Sequence, residues 1–365
     1  MKRTNFVLVF MILVFAICNT SISVFKPVYA QAQSVENVYS VFDESGNLLL
    51  QKQDVFSGDS FLTKDFKKYE IVYVDEVNKI ARAKFIKDVE KPDIGISFSP
   101  SKITGQQGKV CLYMTHNDES YLPTEGYDSI YGAGGIHDVA NAIKTTFELK
   151  GIKAYIDETL HIPHDTRAYS RSKATAKRLI ETYNPDAIFD IHRDGASRST
   201  YVKNVNGIER CKVRIVVGKA SENFEVAEQF ALYLLAVGEK VCDWLFLDIY
   251  YASGHYNQGL HNKALLFEMG SHLVEKELVL KSVEPLVNVI NTAMFNTTVN
   301  SESGDLTING DVTEQTPLIN DALNEYSSGG ESAVPMILAI LVAGSVLVVL
   351  VTVTTKNLKR KKNKN

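Results

Sequence analysis

From residue 109 to about residue 297, short apolar segments alternate with longer segments whose apolar residues recur at helical spacing. Apolar runs of about four to eight residues are typical of buried strands. Strands that alternate with longer helices favour an α/β sheet with helical crossovers. We predict a mixed, mostly parallel sheet with helices on both faces, with strands in VCLYMTH, IKAYI, AIFDIH, VRIVVG and ALLFEMG and helices in ANAIKTTFELKG, TAKRLIETY and FEVAEQFALYLLAVGEKV.

Residues 31–95 have a different pattern, in which short apolar or alternating stretches are broken by turn signals. The stretches are YSVFDESGNLLLQK, with a Ser-Gly turn, and YEIVYVDEVNKIARAKFI, with an Asp-Glu-Val-Asn turn. Such interruptions predict β-hairpins. We interpret this segment as a small β-rich module that precedes the α/β domain of residues 109–297. A linker containing Pro92, Pro100 and Gly105 connects the two.

The first 30 residues combine a basic start with an apolar run and a small-residue pattern at Val28-Tyr29-Ala30. This arrangement is typical of a signal peptide, which we predict at residues 1–30. An uncleaved anchor helix is the alternative, but the apolar run is short for a hydrocarbon core about 30 Å thick.

A second apolar run lies near the other end, where residues 334–353 carry no charge and are followed at once by KNLKRKKNKN. This combination predicts a transmembrane helix at residues 333–354 and a basic cytoplasmic tail at residues 355–365. The polar residues 298–332 are expected to form a flexible stalk. We therefore expect a single-pass protein of the cell membrane with its catalytic domain outside the cytoplasm.

The charge distribution excludes one class of partner. Nine of the Lys and Arg residues lie near the two ends of the chain, and without them the formal net charge of −4 becomes −13. Nucleic-acid binding requires a basic surface, so we expect no nucleic-acid partner. Outside the first apolar run, Cys111, Cys211 and Cys242 remain, and three thiols indicate no disulfide framework.

Candidate catalytic residues follow three of the predicted strands: His116 after VCLYMT, His192 after AIFDI and Glu268 after ALLF. Because strand ends converge on one edge of a sheet, these side chains are expected to lie close together. Glu119 follows His116 by three residues, a spacing that lets both side chains point the same way. Two imidazoles and one carboxylate suit a catalytic Zn²⁺, which keeps its fourth position open for water. We predict zinc ligands at His116, Glu119 and His192.

Glu268 is the candidate general base, because hydrolysis needs a group that accepts a proton from water and returns it to the leaving nitrogen. His137, at the start of a predicted helix, is an alternative third ligand in place of Glu119. Arg193 is a candidate for binding a substrate carboxylate, with a structural ion pair as the alternative.

Four segments of this region resemble the stage II sporulation protein P family, over most of residues 109–275: YMTHNDESYLPTEG, DETLHIPHDTRAYSRS, DIHRDGAS and YNQGLHNKALLFEMGSH. The resemblance implies an amidase-like (phosphorylase/hydrolase-like) fold and a zinc-dependent N-acetylmuramoyl-L-alanine amidase. Its substrate would be peptidoglycan, including peptide cross-links, and its role engulfment in endospore formation. The resemblance also implies that His116, Glu119, His192 and Glu268 form the site, and that sporulation proteins D and M are partners.

Two other functions fit the same residues. The order His-x-x-Glu, a distant His and a later Glu is also that of zinc carboxypeptidases, which would act on wall stem peptides. A wall-binding scaffold with a structural metal site, or none, is the non-catalytic alternative.

Overall fold

The computed structural model describes residues 38–94 and 107–295, together with the backbone of residues 297–299 and 306–308. The predicted signal peptide (1–30), transmembrane helix (333–354) and cytoplasmic tail (355–365) lie outside the described residues, as does most of the predicted stalk. Among the described residues, no helix combines the length and apolar character needed to cross a bilayer.

The described residues contain each strand and helix predicted for the α/β region, together with strands at Val202–Val205, Ile208–Cys211 and Phe246–Ala252, which were not predicted. The strands are β1 (Tyr39–Phe42), β2 (Leu48–Lys52), β3 (Ser60–Thr63), β4 (Lys67–Asp75), β5 (Ile80–Asp88), β6 (Lys109–Tyr113), β7 (Lys153–Asp157), β8 (Ala187–Asp194), β9 (Val202–Val205), β10 (Ile208–Cys211), β11 (Val213–Gly218), β12 (Phe246–Ala252), β13 (Ala264–Ser271), β14 (Thr297–Val299) and β15 (Leu306–Ile308). The helices are α1 (Leu122–Glu125), α2 (Ile136–Leu149), α3 (Ala168–Tyr183), α4 (Arg198–Tyr201), α5 (Phe224–Val241), α6 (Lys276–Leu280) and α7 (Val283–Met294).

In the described part of the chain, eleven strands form one sheet in the order β2-β1-β5-β4-β3-β12-β11-β13-β8-β6-β7. The pairs β12/β11, β13/β8, β8/β6 and β6/β7 are parallel, and β11/β13 is antiparallel. The predicted mixed α/β sheet is confirmed, and its α/β half is mostly parallel.

The N-terminal strands extend this sheet, whereas the sequence pattern suggested a module of their own. Strand β3 pairs antiparallel with β12, from Ser60 beside Tyr251 to Thr63 beside Asp248. Phe61 and Leu62 are both buried, so β3 lacks the alternation that identifies a half-exposed strand. Because this alternation is absent, the sequence pattern did not predict the pairing of β3 with β12.

Helices cover both faces of the α/β half, as predicted. On one face, α7 packs against both α2 and α5. The apolar residues of α2 recur every third or fourth position and are buried: Ile136, Val139, Ala140, Ile143 and Phe147. On the other face, α3 packs its buried Ala176 and Leu179 against Cys111 and Tyr113 of β6.

All eight residues of β8 are buried, including the polar Asp190, His192, Arg193 and Asp194. Strands covered on both faces are normally continuous apolar runs. Buried polar side chains carry a large free-energy cost unless they are paired. The polar side chains at the end of β8 therefore need pairing groups from other parts of the fold.

Candidate metal and catalytic site

His116 and Glu119 lie in the turn that follows β6. The Glu119 N–H donates to the His116 carbonyl at 3.3 Å, and this turn brings His116 Nδ1 to 3.2 Å from Glu119 Oε1. The Glu119 carboxylate is almost fully buried, and its Oε2 accepts a hydrogen bond from the backbone N–H of Arg193 at 2.9 Å. Glu119 thereby connects the ends of β6 and β8.

His192 reaches the same carboxylate oxygen from β8. Its Nδ1 lies 3.3 Å from Glu119 Oε1, and its Nε2 lies 3.0 Å from Asp190 Oδ1. Asp190 is anchored in turn by Thr115, whose N–H and hydroxyl donate to its two carboxylate oxygens at 2.9 and 2.6 Å. The carboxylate of Asp190 therefore lies at ion-pair distance from His192, although His192 Nε2 makes no hydrogen bond among the described residues.

Charge stabilises this arrangement. Burial opposes ionisation of Glu119, but His192 and His116 outweigh it and hold the pKa of Glu119 well below its usual value. Burial also lowers the pKa of His192, yet Asp190 and Glu119 raise it well above the usual value. Burial lowers the pKa of His116, which favours the neutral imidazole that binds a metal.

Glu268 lies on β13 and is the neighbour of both His192 on β8 and Arg214 on β11 in the sheet register. Its Oε2 is buried and has no hydrogen-bond partner among the described residues. Burial raises the pKa of Glu268 to about 8; the Asp194 carboxylate adds to the increase, and Lys52 and His192 oppose it. A buried carboxyl with an unused oxygen is suited to exchange protons with a bound substrate or water.

A cavity of about 570 Å³ lies over these residues. Its lining includes His116, Glu119, His192, Glu268 and, from the N-terminal segment, Lys52. A second cavity of about 540 Å³ adjoins it and shares the lining residues Thr166, Tyr169, Ser253 and Tyr256. The catalytic candidates therefore lie in the wall of a continuous concave surface formed by the two cavities.

Beneath this cavity lies a network of buried charges. Arg214 is fully buried; its Nε and Nη2 donate to Asp248 at 2.6 and 2.9 Å, and its Nη1 donates to Asp194 Oδ2. Asp194 Oδ2 also accepts from the Tyr201 hydroxyl at 2.8 Å, and its Oδ1 from Lys52 Nζ at 2.6 Å. Side-chain charges thus connect β2, β8, β11 and β12.

Replacement of Arg214 by Met is expected to lower the free energy of unfolding by about 3–5 kcal/mol, because it leaves Asp248 buried without the cation that pairs with it and Asp194 with Lys52 alone. Chemical denaturation measures the change. The matched control is Arg178→Met, which breaks the half-exposed Arg178–Asp157 pair and should cost less than about 1 kcal/mol. Equal effects of the two substitutions would contradict this account of the network.

The residues His116, Glu119 and His192, predicted as ligands, lie together. His137, the alternative to Glu119, is instead placed with its Nδ1 3.3 Å from Glu158 Oε1. His164 was not assigned a role from the sequence, but it stacks on His116 with ring centroids 3.8 Å apart. Ligand atoms of His116, Glu119 and His164 lie within 4.8 Å of one another. His164 comes close to the other ligand candidates because the loop before α3 folds onto the end of β6, which the sequence does not show.

Arg193, the predicted substrate-binding residue, is almost buried in the cavity wall. Its Nη2 donates to the carbonyl of Asp128 at 2.8 Å, and its Nε has no hydrogen-bond partner among the described residues. One part of the guanidinium therefore holds the loop after α1, and another part remains available to a ligand.

Two of the separations among the three predicted ligands fit Zn²⁺, while the group whose ligand atoms all lie within 4.8 Å of one another contains His164 in place of His192. In a tetrahedral site with metal–ligand bonds of about 2.0–2.1 Å, neighbouring ligand atoms are about 3.3 Å apart. The observed separations from Glu119 Oε1 to the two imidazole nitrogens are 3.2 and 3.3 Å. The donor set of two imidazoles and one carboxylate is also that of hydrolytic zinc sites. The residues present therefore fit a zinc ion.

Solved amidase structures show a remote likeness to the chain. The CwlD amidase from Clostridioides difficile, in complex with the GerS lipoprotein, is 11% identical, with 51% of this chain and 98% of that chain covered and a TM-score of 0.36. The N-acetylmuramoyl-L-alanine amidase AmiC2 of Nostoc punctiforme is 10% identical, with 51% and 96% covered and a TM-score of 0.32.

Sequence comparison is more specific. The stage II sporulation protein P of Bacillus subtilis (strain 168) is 28% identical over 225 residues. The match covers 56% of this chain and 56% of that protein, so it spans about half the length of this relative. Residues 30–291 match the profile of the stage II sporulation protein P (SpoIIP) family, a range that includes His116, Glu119, His192 and Glu268. The chain therefore belongs to the stage II sporulation protein P family.

Proposed function

We propose that this chain hydrolyses bacterial peptidoglycan with the aid of zinc, cleaving the amide between N-acetylmuramic acid and L-alanine. The observation that supports this most directly is the convergence of two imidazole nitrogens on Glu119 Oε1, at 3.2 and 3.3 Å, in a cavity that also contains Glu268. Membership of the stage II sporulation protein P family supports a substrate in the cell wall of sporulating bacteria.

The proposed ligands of the zinc ion are His116, Glu119 and His192, with Asp190 orienting His192. Zinc bound there would supply Lewis acidity and lower the pKa of a water molecule in the cavity. In its ionised form, Glu268 accepts a proton from the attacking water while the new C–O bond forms. The same carboxyl then delivers that proton to the amide nitrogen as the C–N bond breaks, so that one group is base and acid in turn.

The cellular setting is proposed from the sequence. Peptidoglycan lies outside the cytoplasmic membrane, and the terminal segments have the sequence patterns from which we predict a signal peptide and a membrane anchor. We propose that the site acts there during engulfment in endospore formation, with sporulation proteins D and M as candidate partners.

Mass spectrometry of the fragments released from purified peptidoglycan by the full-length chain, with and without a zinc chelator, tests the proposal. The expected products are intact stem peptides with a free L-alanine amino terminus, and the chelator should abolish their release. Release of single C-terminal amino acids would identify a carboxypeptidase instead. An absence of released fragments, in a chain without stoichiometric zinc, would identify a scaffold.

A further inference from the structure

The N-terminal strands contribute a charged residue to the cavity of the proposed active site. Lys52 is the last residue of β2, 142 residues before Asp194 in the sequence. Its Nζ lies 2.6 Å from Asp194 Oδ1 and its side chain is 14% exposed. Lys52 lines the same cavity as His116, His192 and Glu268.

Several contacts hold this part of the chain against the loop that follows β8. The Gln53 N–H donates to the carbonyl of Gly195 at 2.5 Å, and the Ser197 hydroxyl donates to Gln51 Oε1 at 2.8 Å. A Cβ atom at position 195 would lie 2.8 Å from Cδ of Gln53 and still closer to its Oε1, so the side chain of Gln53 would have to move to admit it. Contacts on both sides of Lys52 thus fix its position relative to the end of β8.

Lys52 is not the sole cation available to Asp194. Arg214 and the Tyr201 hydroxyl already donate to Asp194 Oδ2, and Arg214 is completely buried. A lysine ammonium has three N–H donors, and the hydrogen bond to Asp194 uses one of them. Burial lowers the pKa of Lys52, but Asp194 and Glu268 outweigh it and raise the pKa, so the ammonium remains charged. A fixed positive charge with free donors therefore faces the cavity.

We propose that Lys52 is a catalytic residue whose ammonium stabilises the negative charge that develops on the amide oxygen of the substrate during hydrolysis. This inference rests on the proposed function. As the water oxygen bonds to the carbonyl carbon, the electron pair of the C=O bond moves onto the amide oxygen, where the ammonium donates a hydrogen bond. The pair returns when the C–N bond breaks and the nitrogen receives its proton from Glu268. Preorganised donors of this kind typically contribute about 10²–10³-fold to kcat.

The proposal also assigns a role to the N-terminal segment. Gln53, Asp54, Phe56 and Asp59 line the same cavity as Lys52. The end of β2 and the loop between β2 and β3 therefore form part of the cavity wall, while the N-terminal strands extend the sheet.

The test uses the full-length, zinc-loaded chain and a soluble muramoyl tripeptide substrate. Lys52→Met should lower kcat by about 10²-fold or more with KM within about threefold, because the interaction is made in the transition state. Lys52→Arg, which keeps the charge, should recover at least about tenfold of this loss. Zinc content and Tm should match those of the wild type, because Arg214 still pairs with Asp194.

The matched control is Lys68→Met, from the same N-terminal segment. Lys68 is 20% exposed, pairs with Glu228 at 3.0 Å and lies over the Tyr251 ring at 4.2 Å, but it does not line the cavity. Its replacement should leave kcat unchanged.

An unchanged kcat in Lys52→Met would overturn the proposal. A rise in KM alone would also overturn it, because Lys52 would then bind the ground state of the substrate. An equal loss of kcat in Lys52→Arg and Lys52→Met, with wild-type Tm in both, would overturn it as well. If the wild type hydrolyses the substrate and Glu268→Gln does not, failure of the Lys52 variants would refute only this inference. A wild type without hydrolysis would refute the proposed function as well.

Discussion

Glu268→Gln is expected to lower the rate of peptidoglycan hydrolysis by about 10²–10⁴-fold while the chain still binds zinc. The amide of Gln has nearly the same shape as the carboxyl but cannot accept and return a proton. Release of stem peptides and elemental analysis of the purified variant measure the two quantities. Glu148→Gln is the control, because Glu148 is exposed and pairs only with Lys144 among the described residues. Retained hydrolysis in Glu268→Gln would remove Glu268 from the role of base.

The same substitution is expected to stabilise the metal-free protein at neutral pH. Glu268 titrates near pH 4.5 when unfolded and near pH 8 when folded, so between these values the folded state binds more protons. The free energy of unfolding should therefore fall as the pH rises through this window, by up to about 1.4 kcal/mol per pH unit. Glu268→Gln should lack this part of the pH dependence. Denaturation from pH 4 to pH 9 measures this free energy. The same decline in the wild type and in Glu268→Gln would show that titration of Glu268 is not its cause.

Glu119→Gln is expected to abolish zinc binding and, with it, hydrolysis. Both imidazoles approach Glu119 Oε1, so loss of the carboxylate charge removes the group shared by both of them. Zinc affinity should fall by more than the factor of about 10–100 that is typical when a residue that only orients a ligand is replaced. Competition with a coloured chelator measures the Kd.

His137→Ala is the matched comparison, because His137 is the alternative third ligand and contacts Glu158. This variant should bind zinc as tightly as the wild type. If His137→Ala loses zinc and Glu119→Gln retains it, the proposed ligand set is wrong.

Much of the α/β half could be predicted from the sequence because its signals are local. Apolar runs and helical periodicity indicated strands and helices, and the polar residues at the ends of those runs identified His116, His192 and Glu268. The rule that strand ends converge at one edge of a sheet was sufficient to predict that these three residues lie close together.

Other features could not be read from local pattern. Strand β3 is short and buried at both Phe61 and Leu62, so its pairing with β12 leaves no alternation to detect. No local pattern in the sequence connects Lys52 with Asp194, which lies 142 residues later. His164 carried no signal that distinguished it from other histidines.

By itself, the sequence determined the family, the alternation of strands and helices, and the chemical types of residue at the strand ends. Only the tertiary structure decided that Glu119, rather than His137, lies between the two imidazoles. It also decided that Lys52 crosses from the N-terminal strands to Asp194. The physical reason is that secondary structure follows from neighbouring residues, whereas a site assembled from distant segments depends on sheet order and loop packing. Sheet order and loop packing depend in turn on the free energy of the whole fold.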